Sequence, residues 1–169
     1  MSYISPEISD PNEIYSLLTM MTDSLLDGES DWVCATANIS ALIYDLLPDL
    51  NWAGFYRVVG DQLILGPFQG KPACTRIAMG KGVCGTAWLT DSPQVVPDVH
   101  QFPGHIACDS ASNSELVIPI HNRKGQFCCL LDLDSPSKDR FSHKDLNGIL
   151  PSIAIFEKWL ADHEIDWLS

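Results

Sequence analysis

The spacing of hydrophobic residues changes period twice along this chain, and that change limits the folds open to it. Apolar residues recur every three or four positions over residues 14–25 and 33–46, which is typical of amphipathic helices. From Trp52 onward this pattern gives way to short runs rich in aromatic and β-branched residues, which favour strands. Helical spacing returns over residues 146–160. Helices on either side of a strand-rich middle predict an α+β fold in which helices pack on a mostly antiparallel sheet.

Turn-forming residues divide the middle of the chain into short elements. We predict a hairpin turn at Gly60-Asp61, a short helix over residues 83–90, and strands over residues 52–59, 63–65, 76–79, 94–96, 115–120 and 127–133. No repeat, low-complexity segment or linker interrupts the sequence, which predicts one domain over residues 1–169.

The final helix carries two signals of its own. Ser142, with Asp145 three residues later, predicts its N-terminal cap. Pro151 lies inside the helical pattern, so the sequence predicts either a kink there or a helix that begins later.

Composition limits the partners and the compartment. The 169 residues are 46% hydrophobic, enough for a sizeable core, and the net charge of −12 argues against nucleic acid or an anionic membrane as a partner. No basic residue precedes an apolar run at the N-terminus, and no apolar run approaches the roughly 20 residues of a membrane span. We therefore expect a cytoplasmic protein. In that reducing compartment the six cysteines are expected to be core residues, metal ligands or redox thiols.

Three of the cysteines lie in apolar segments. Cys34 belongs to the second predicted helix, and Cys128 and Cys129 belong to a strongly apolar strand. Buried cysteine behaves as a small hydrophobic residue, so we expect these three in the core.

The other three cysteines, Cys74, Cys84 and Cys108, lie near glycine, proline or polar residues. They are either unrelated thiols, zinc ligands completed by His100 or His105, or a nucleophile with resolving partners. Structural zinc sites usually pair ligands at short spacing, whereas these cysteines are ten and twenty-four residues apart, which disfavours zinc. A redox centre needs distant cysteines that loops bring together, and the nearby glycines supply such loops.

Helix electrostatics point to Cys84 as the most acidic of these thiols. It would lie near the N-terminus of the short helix, where the helix dipole and the neighbouring Lys81 stabilise a thiolate.

Acidic and aromatic residues at the strand ends suggest a small-molecule pocket. Asp132 and Asp134 alternate and so face one side of a strand, and Glu115 opens the neighbouring strand. They are either solvated strand ends or a cluster that holds an ammonium group or donates a proton. Trp52 and Tyr56 are four residues apart on one face of a strand, either as core packing or as the apolar wall of a pocket.

Five segments together resemble the free methionine-(R)-sulfoxide reductases, which are stand-alone GAF domains. They are Asn-Trp-Ala-Gly-Phe-Tyr (51–56), Leu-Gly-Pro-Phe-Gln-Gly-Lys-Pro-Ala-Cys (65–74), Gly-Lys-Gly-Val-Cys-Gly-Thr-Ala-Trp (80–88), His-Ile-Ala-Cys-Asp-Ser-Ala-Ser-Asn-Ser-Glu (105–115) and Leu-Asp-Leu-Asp-Ser (131–135). The resemblance covers most of the chain and includes the spacing of three cysteines. It implies a GAF fold, with a central antiparallel sheet of about six strands flanked by helices.

The resemblance also implies an activity, the reduction of free L-methionine-(R)-sulfoxide. Cys108 would be the nucleophile, in place of the Cys84 that helix electrostatics favour, and either Cys84 or Cys74 would resolve its sulfenic acid. Thioredoxin would be the external reductant, with no metal or bound cofactor. The implied substrate-binding residues are Trp52, Tyr56, Glu115, Asp132 and Asp134.

The alternative is a sensory GAF module that binds a small molecule or reports redox state without turnover. Sensory GAF domains are usually joined to output domains, for which this chain has no room, and the three matched cysteines also favour the enzyme. The sequence leaves open whether the chain forms a homodimer and which acid donates the proton.

Overall fold

Along the chain, two helices come first, six strands with one short helix among them follow, and a long helix comes last in the described residues. The computed structural model describes residues 11–104 and 110–164. Within these ranges lie α1 (Pro11–Leu26), α2 (Trp32–Leu46), β1 (Trp52–Val59), β2 (Gln62–Gly70), β3 (Arg76–Ala78), α3 (Gly82–Thr90), β4 (Gln94–Val96), a short 3-10 turn (Val99–Gln101), β5 (Ser114–His121), β6 (Phe127–Ser135) and α4 (His143–Asp162).

The strands form one sheet in the order β3-β2-β1-β6-β5-β4. Each neighbouring pair is antiparallel, which confirms the predicted α+β fold with an antiparallel sheet of about six strands. The two central strands, β1 and β6, come from distant parts of the sequence, and β6 also pairs with β5 over its whole length. The centre of the sheet therefore brings the ends of β1, β5 and β6 together.

Helices α2 and α4 contact one face of the sheet, and α1 packs on these two helices. The larger hydrophobic cluster lies in this part of the fold. Asp31 caps α2 by accepting hydrogen bonds from the backbone of Val33 and Cys34. Ser142 and Asp145 form the predicted capping box of α4, and Pro151 lies inside that helix. The alternative of a later helix start is therefore wrong, because the reciprocal cap fixes the first turn before the proline.

None of the helices in the described ranges is both long enough and apolar enough to cross a lipid bilayer.

Outside the candidate site, the structure corrects the predictions for Cys34 and for the second strand, and it confirms that Cys128 and Cys129 are buried. Cys128 and Cys129 are fully buried, as expected, but Cys34 is exposed. The buried stripe of α2 runs through Ala35 and Ile39 and leaves Cys34 on the solvent side. The second strand is longer than residues 63–65, because pairing with β1 continues past a register shift near Gly54 to the end of β2.

A second, smaller hydrophobic cluster lies on the opposite face of the sheet, beneath α3. It includes Trp52 and Tyr56 from β1, Val117 from β5 and Leu130 from β6. Cys84 on α3 packs into the same cluster. The smaller cluster therefore contains Trp52, Tyr56 and Cys84, three of the candidate site residues from the sequence.

His121, at the end of β5, joins α3 to α4. Its Nε2 lies 2.8 Å from Asp91 Oδ1 after α3, and its Nδ1 lies 3.1 Å from Glu157 Oε1 on α4. Its backbone N–H donates to the same Glu157 oxygen at 2.8 Å. Burial lowers the pKa of the imidazole, but the two carboxylates outweigh burial and raise the pKa above its usual value of 6.5. Folding therefore favours the protonated ring.

We expect stability to depend on pH through His121. A raised pKa stabilises the fold fully below the ordinary pKa, and this contribution is lost as the pH rises through the raised pKa. His121→Gln should remove about 0.5–1 kcal/mol of unfolding free energy near pH 6 and much less near pH 9, since the group is partly exposed and screened. Urea unfolding at the two pH values measures this difference. His143→Gln at the exposed start of α4 is the control, and an equal loss at both pH values would contradict the assignment.

Candidate active site

The acidic residues predicted at the strand ends lie side by side in the sheet. Glu115 on β5 is paired with Asp134 on β6, and Asp132 is paired with Val117. Alternation of side chains along a strand directs Asp132 and Asp134 to the same face, as predicted. Glu115 and Asp132 are only 7% and 6% exposed, so they are not the solvated strand ends of the blander interpretation.

Cys84 reaches this acidic pair from α3. Its thiol, 4% exposed, donates a hydrogen bond to Glu115 Oε1 with a sulfur–oxygen distance of 3.7 Å. One side-chain ligand atom from each of Cys84, Glu115 and Asp132 lies within 4.8 Å of the other two. Close approach of α3 to the sheet depends on Gly85, where an added Cβ would lie 2.5 Å from the backbone oxygen of Ala78.

Burial sets the protonation of the two carboxyl groups. Loss of water raises the pKa of Glu115 well above its usual value, and the charges of Asp132 and Asp134 raise it further. Burial also raises the pKa of Asp132 to about 6, although its hydrogen bonds with Cys84 and Glu115 act in the opposite direction. Burial therefore favours the protonated form of both carboxyl groups.

The expectation of an acidic Cys84 thiol is wrong. Cys84 does lie in the first turn of α3, as predicted. Burial raises the pKa of its thiol well above 9.0, and the charges of Asp132 and Glu115 raise it further. These effects exceed the helix-terminus contribution, which is typically below about 1 kcal/mol near a surface.

One oxygen of the cluster is left without a hydrogen bond. Asp132 Oδ1 is buried and has no hydrogen-bond partner within residues 11–104 and 110–164. A buried acceptor left unpaired is unfavourable by about 1–3 kcal/mol, more when it is charged. The cluster therefore presents a site for a donor or a cation that the described residues do not supply.

Aromatic rings form an apolar wall beside the acids, as the sequence suggested. The Trp52 ring stacks on Tyr56 with centroids 5.9 Å apart, and on Phe68 with centroids 5.2 Å apart. The indole N–H donates to the backbone oxygen of Lys71, and the Tyr56 hydroxyl donates to that of Cys74 at 2.9 Å. The wall therefore anchors the loop that carries Cys74.

Two of the three cysteines that the sequence singled out, Cys74 and Cys84, differ in oxidation state. Cys74 is disulfide-bonded and half-buried, whereas Cys84 is a free thiol. Cys108, the predicted nucleophile, lies outside the described residues, as does His105. Among the candidates for zinc ligation, His100 contacts Asn113 at an exposed position, with its Nε2 3.0 Å from Asn113 Oδ1.

Sequence reasoning missed several residues that shape the pocket. An added Cβ at Gly54 would lie 2.4 Å from Phe68 Cβ and 2.6 Å from the Trp52 ring, and Gly70 similarly makes room for Trp52 with φ at +123°. Phe68 escaped notice because the predicted strand ended at residue 65, whereas β2 continues to Gly70. The hydrophobic side chain of Phe68, directly after Pro67, was the signal that the strand continues.

The family profile of the GAF domain matches residues 24–149. The free methionine-R-sulfoxide reductase of Escherichia coli (strain K12) is 49% identical over 149 residues, which cover 88% of this chain and 90% of that protein. The X-ray structure of free methionine-R-sulfoxide reductase from Neisseria meningitidis, in complex with its substrate, has a TM-score of 0.88 and 38% identity, covering 94% of this chain and 95% of that one. The fRMsr of Staphylococcus aureus, also in complex with substrate, has a TM-score of 0.84 and 46% identity, covering 92% and 100%.

We expect Asp132→Asn to stabilise the free protein above neutral pH. Because folding raises this pKa from 3.8 to about 6, the folded state takes up a proton, and ionisation disfavours the fold as the pH rises through that range. The amide should therefore gain on the order of 1–3 kcal/mol of unfolding free energy at pH 8 and little at pH 4. Chemical denaturation at both pH values measures this. Asp61→Asn, in the exposed β1–β2 turn, should change neither value, and a destabilised Asp132→Asn at pH 8 would contradict the argument.

Proposed function

The chain belongs to the free methionine-R-sulfoxide reductases, a family built on the GAF domain, and we propose that it reduces the R form of free methionine sulfoxide to methionine with its own thiols. The observation that carries this proposal is the buried acidic pair, with its unpaired oxygen, beside an aromatic wall tied to a redox-active cysteine loop. A ligand with an ammonium group and a methyl-bearing sulfur matches both halves of that pocket. A module that only binds a small ligand would have no use for the disulfide, and the substrate complexes of the relatives favour the reductase over a redox sensor.

The acids recognise the ammonium group of the free amino acid. Asp132 Oδ1 is a buried acceptor without a partner in the described part of the chain, and Asp134 adds negative charge nearby. A residue within a peptide carries no ammonium group, so it leaves these carboxylates uncompensated. Trp52 and Tyr56 enclose the S-methyl end, where an apolar surface favours a methyl group over water.

Reduction begins with the Cys108 thiolate. It attacks the sulfoxide sulfur while a carboxylic acid protonates the sulfoxide oxygen. The sulfur–oxygen bond of the substrate then breaks, the hydroxyl is transferred to the Cys108 sulfur as a sulfenic acid, and methionine leaves. Sulfur of the substrate is thereby reduced by two electrons, and the cysteine sulfur is oxidised by two. Glu115 is the proton donor in this proposal, because its raised pKa keeps the group protonated near neutral pH.

Cys74 then resolves the sulfenic acid. Its thiol attacks the Cys108 sulfur, water leaves, and a disulfide forms between the two residues. Two observations support Cys74 over Cys84: Cys74 is disulfide-bonded while Cys34, Cys84, Cys128 and Cys129 are free thiols, and the raised pKa of Cys84 opposes thiolate formation. Thioredoxin reduces this disulfide through the half-buried Cys74, so the cycle uses thiols and no bound cofactor.

The substrate selectivity tests the acidic pocket. With thioredoxin, its reductase and NADPH, we expect turnover of free methionine-R-sulfoxide and none of the S form. The N-acetylated R form should lose about 100-fold in kcat/KM, because an uncompensated buried charge is unfavourable by about 2–5 kcal/mol. NADPH oxidation measures each rate. Comparable turnover of the acetylated form would overturn the role of the acids, and no turnover of any form would overturn the enzyme.

A cysteine series separates the proposed thiol roles. Cys108→Ser should release no methionine, whereas Cys74→Ser should release about one methionine per chain in a single turnover and then stop. Cys84→Ser should still form the disulfide, and Cys34→Ser, on the exposed side of α2, should match the unmodified protein. Quantification of methionine and of free thiols after one turnover measures these outcomes. A Cys84→Ser variant that stops after one methionine would move the resolving role to Cys84.

A further inference from the structure

Cys84, Glu115 and Asp132 come together in a way that the thiol cycle does not require. Cys84 has no step in that cycle, yet its sulfur is aimed at the two buried carboxyl groups from α3. We propose that these three side chains form a binding site for a thiophilic divalent cation such as Zn²⁺. Where the cation binds, it excludes the ammonium group of the substrate, a consequence that rests on the proposed function.

The distances suit a tetrahedral ion. With zinc–sulfur and zinc–oxygen bonds of about 2.3 and 2.0 Å, tetrahedral geometry places the two ligand atoms about 3.5 Å apart. The sulfur of Cys84 lies 3.7 Å from Glu115 Oε1, and the Asp132 ligand atom lies within 4.8 Å of both partners. Small side-chain rotations therefore close the triad around one ion and leave its fourth position open.

The unpaired oxygen of Asp132 is an independent sign of a missing ligand. Asp132 is 6% exposed, and its Oδ1 accepts no hydrogen bond from the described residues. A bare acidic cluster on a surface needs no ion, because water solvates it. In this buried carboxyl group, hydrogen bonds with Cys84 and Glu115 leave Oδ1 without a partner among the described residues, and a cation would supply that partner.

The donor set selects the class of cation. One sulfur and two oxygens favour zinc and similar transition metals, since magnesium and calcium prefer oxygen ligands alone and more of them. Binding replaces the thiol proton with the metal–sulfur bond and releases that proton to solvent. This site differs from the zinc site considered from the sequence, because carboxylates from β5 and β6 take the places of histidine and of the other cysteines.

The site is complete in the oxidised chain. Cys84 is a free thiol in the form in which Cys74 is disulfide-bonded. Cys128 and Cys129 are fully buried, and Cys34 is exposed on the other side of the sheet. Metal binding by the oxidised protein therefore reports on Cys84 without contribution from the cysteines of the catalytic disulfide.

Cobalt titration of the oxidised full-length chain tests the proposal. Co²⁺ serves as the probe because a cobalt–thiolate bond gives a charge-transfer absorption and tetrahedral cobalt gives intense visible bands. We expect saturation at one Co²⁺ per chain with both signals, and displacement of the cobalt by Zn²⁺. Cys84→Ser should lose the charge-transfer band, and Asp132→Asn should weaken binding at least about tenfold, since each lost ligand removes a metal bond.

The controls make each outcome decisive. Cys34→Ser should bind as the unmodified chain does, and near-ultraviolet circular dichroism checks that the variants are folded. Asp132→Asn is a second route if Cys84→Ser fails to fold, because the amide relieves a buried charge and should not destabilise the protein. A charge-transfer band that survives in both variants, or no cobalt signal in the unmodified chain, overturns the proposal.

Turnover assays separate this proposal from the proposed function. In the reduced enzyme, Zn²⁺ should raise the KM for methionine-R-sulfoxide and leave kcat unchanged at saturating substrate. A cobalt band in a chain without sulfoxide turnover would refute the reductase and keep the metal site. Sulfoxide turnover by a chain that gives no cobalt band would refute the metal site and keep the reductase.

Discussion

The rest of the site depends on two carboxyl groups that the sheet holds out of water. Antiparallel pairing of β5 with β6 places Glu115 and Asp132 on one face, and α3 closes over them with Cys84. Desolvation and mutual repulsion oppose ionisation of the pair and raise the pKa of both groups. The same features favour a positively charged ligand, so the raised pKa values of the free site and the selectivity of the occupied one have a single cause.

The fold tolerates these buried carboxyl groups because apolar packing on the opposite face of the sheet stabilises it. Three helices bury the larger cluster on the opposite face of the sheet, with β6 residues such as Leu131 and Leu133 fully buried beneath them. Burial of apolar area contributes roughly 25 cal/mol per Å², so this layer offsets the unfavourable charges across the sheet. One face of β6 therefore stabilises the fold, and the other face carries Asp132.

The sequence predicted what depends on local pattern. Alternation placed Asp132 and Asp134 on one face, and the spacing of Trp52 and Tyr56 placed these two rings on one face of a strand. The state of Cys84 was not predictable, because its pKa depends on carboxylates that only the tertiary fold brings near. Phe68 was missed for a related reason: the predicted strand ended at residue 65, whereas pairing with β1 continues the strand to Gly70. The misassigned Cys34 shows that an apolar helix sequence does not by itself decide which face is buried.

The contrast between Cys74 and Cys84 follows from how each is held. The Tyr56 hydroxyl donates to the backbone oxygen of Cys74, so the aromatic wall positions the loop without withdrawing its sulfur from solvent. Burial and Asp132 raise the pKa of Tyr56, which keeps that hydroxyl a donor. Cys84 is instead enclosed with acids that oppose its thiolate. A thiol in that setting is a poor nucleophile, but it donates a hydrogen bond to a carboxylate and can exchange its proton for a metal ion. Its position is therefore better suited to recognising a cation than to exchanging disulfides.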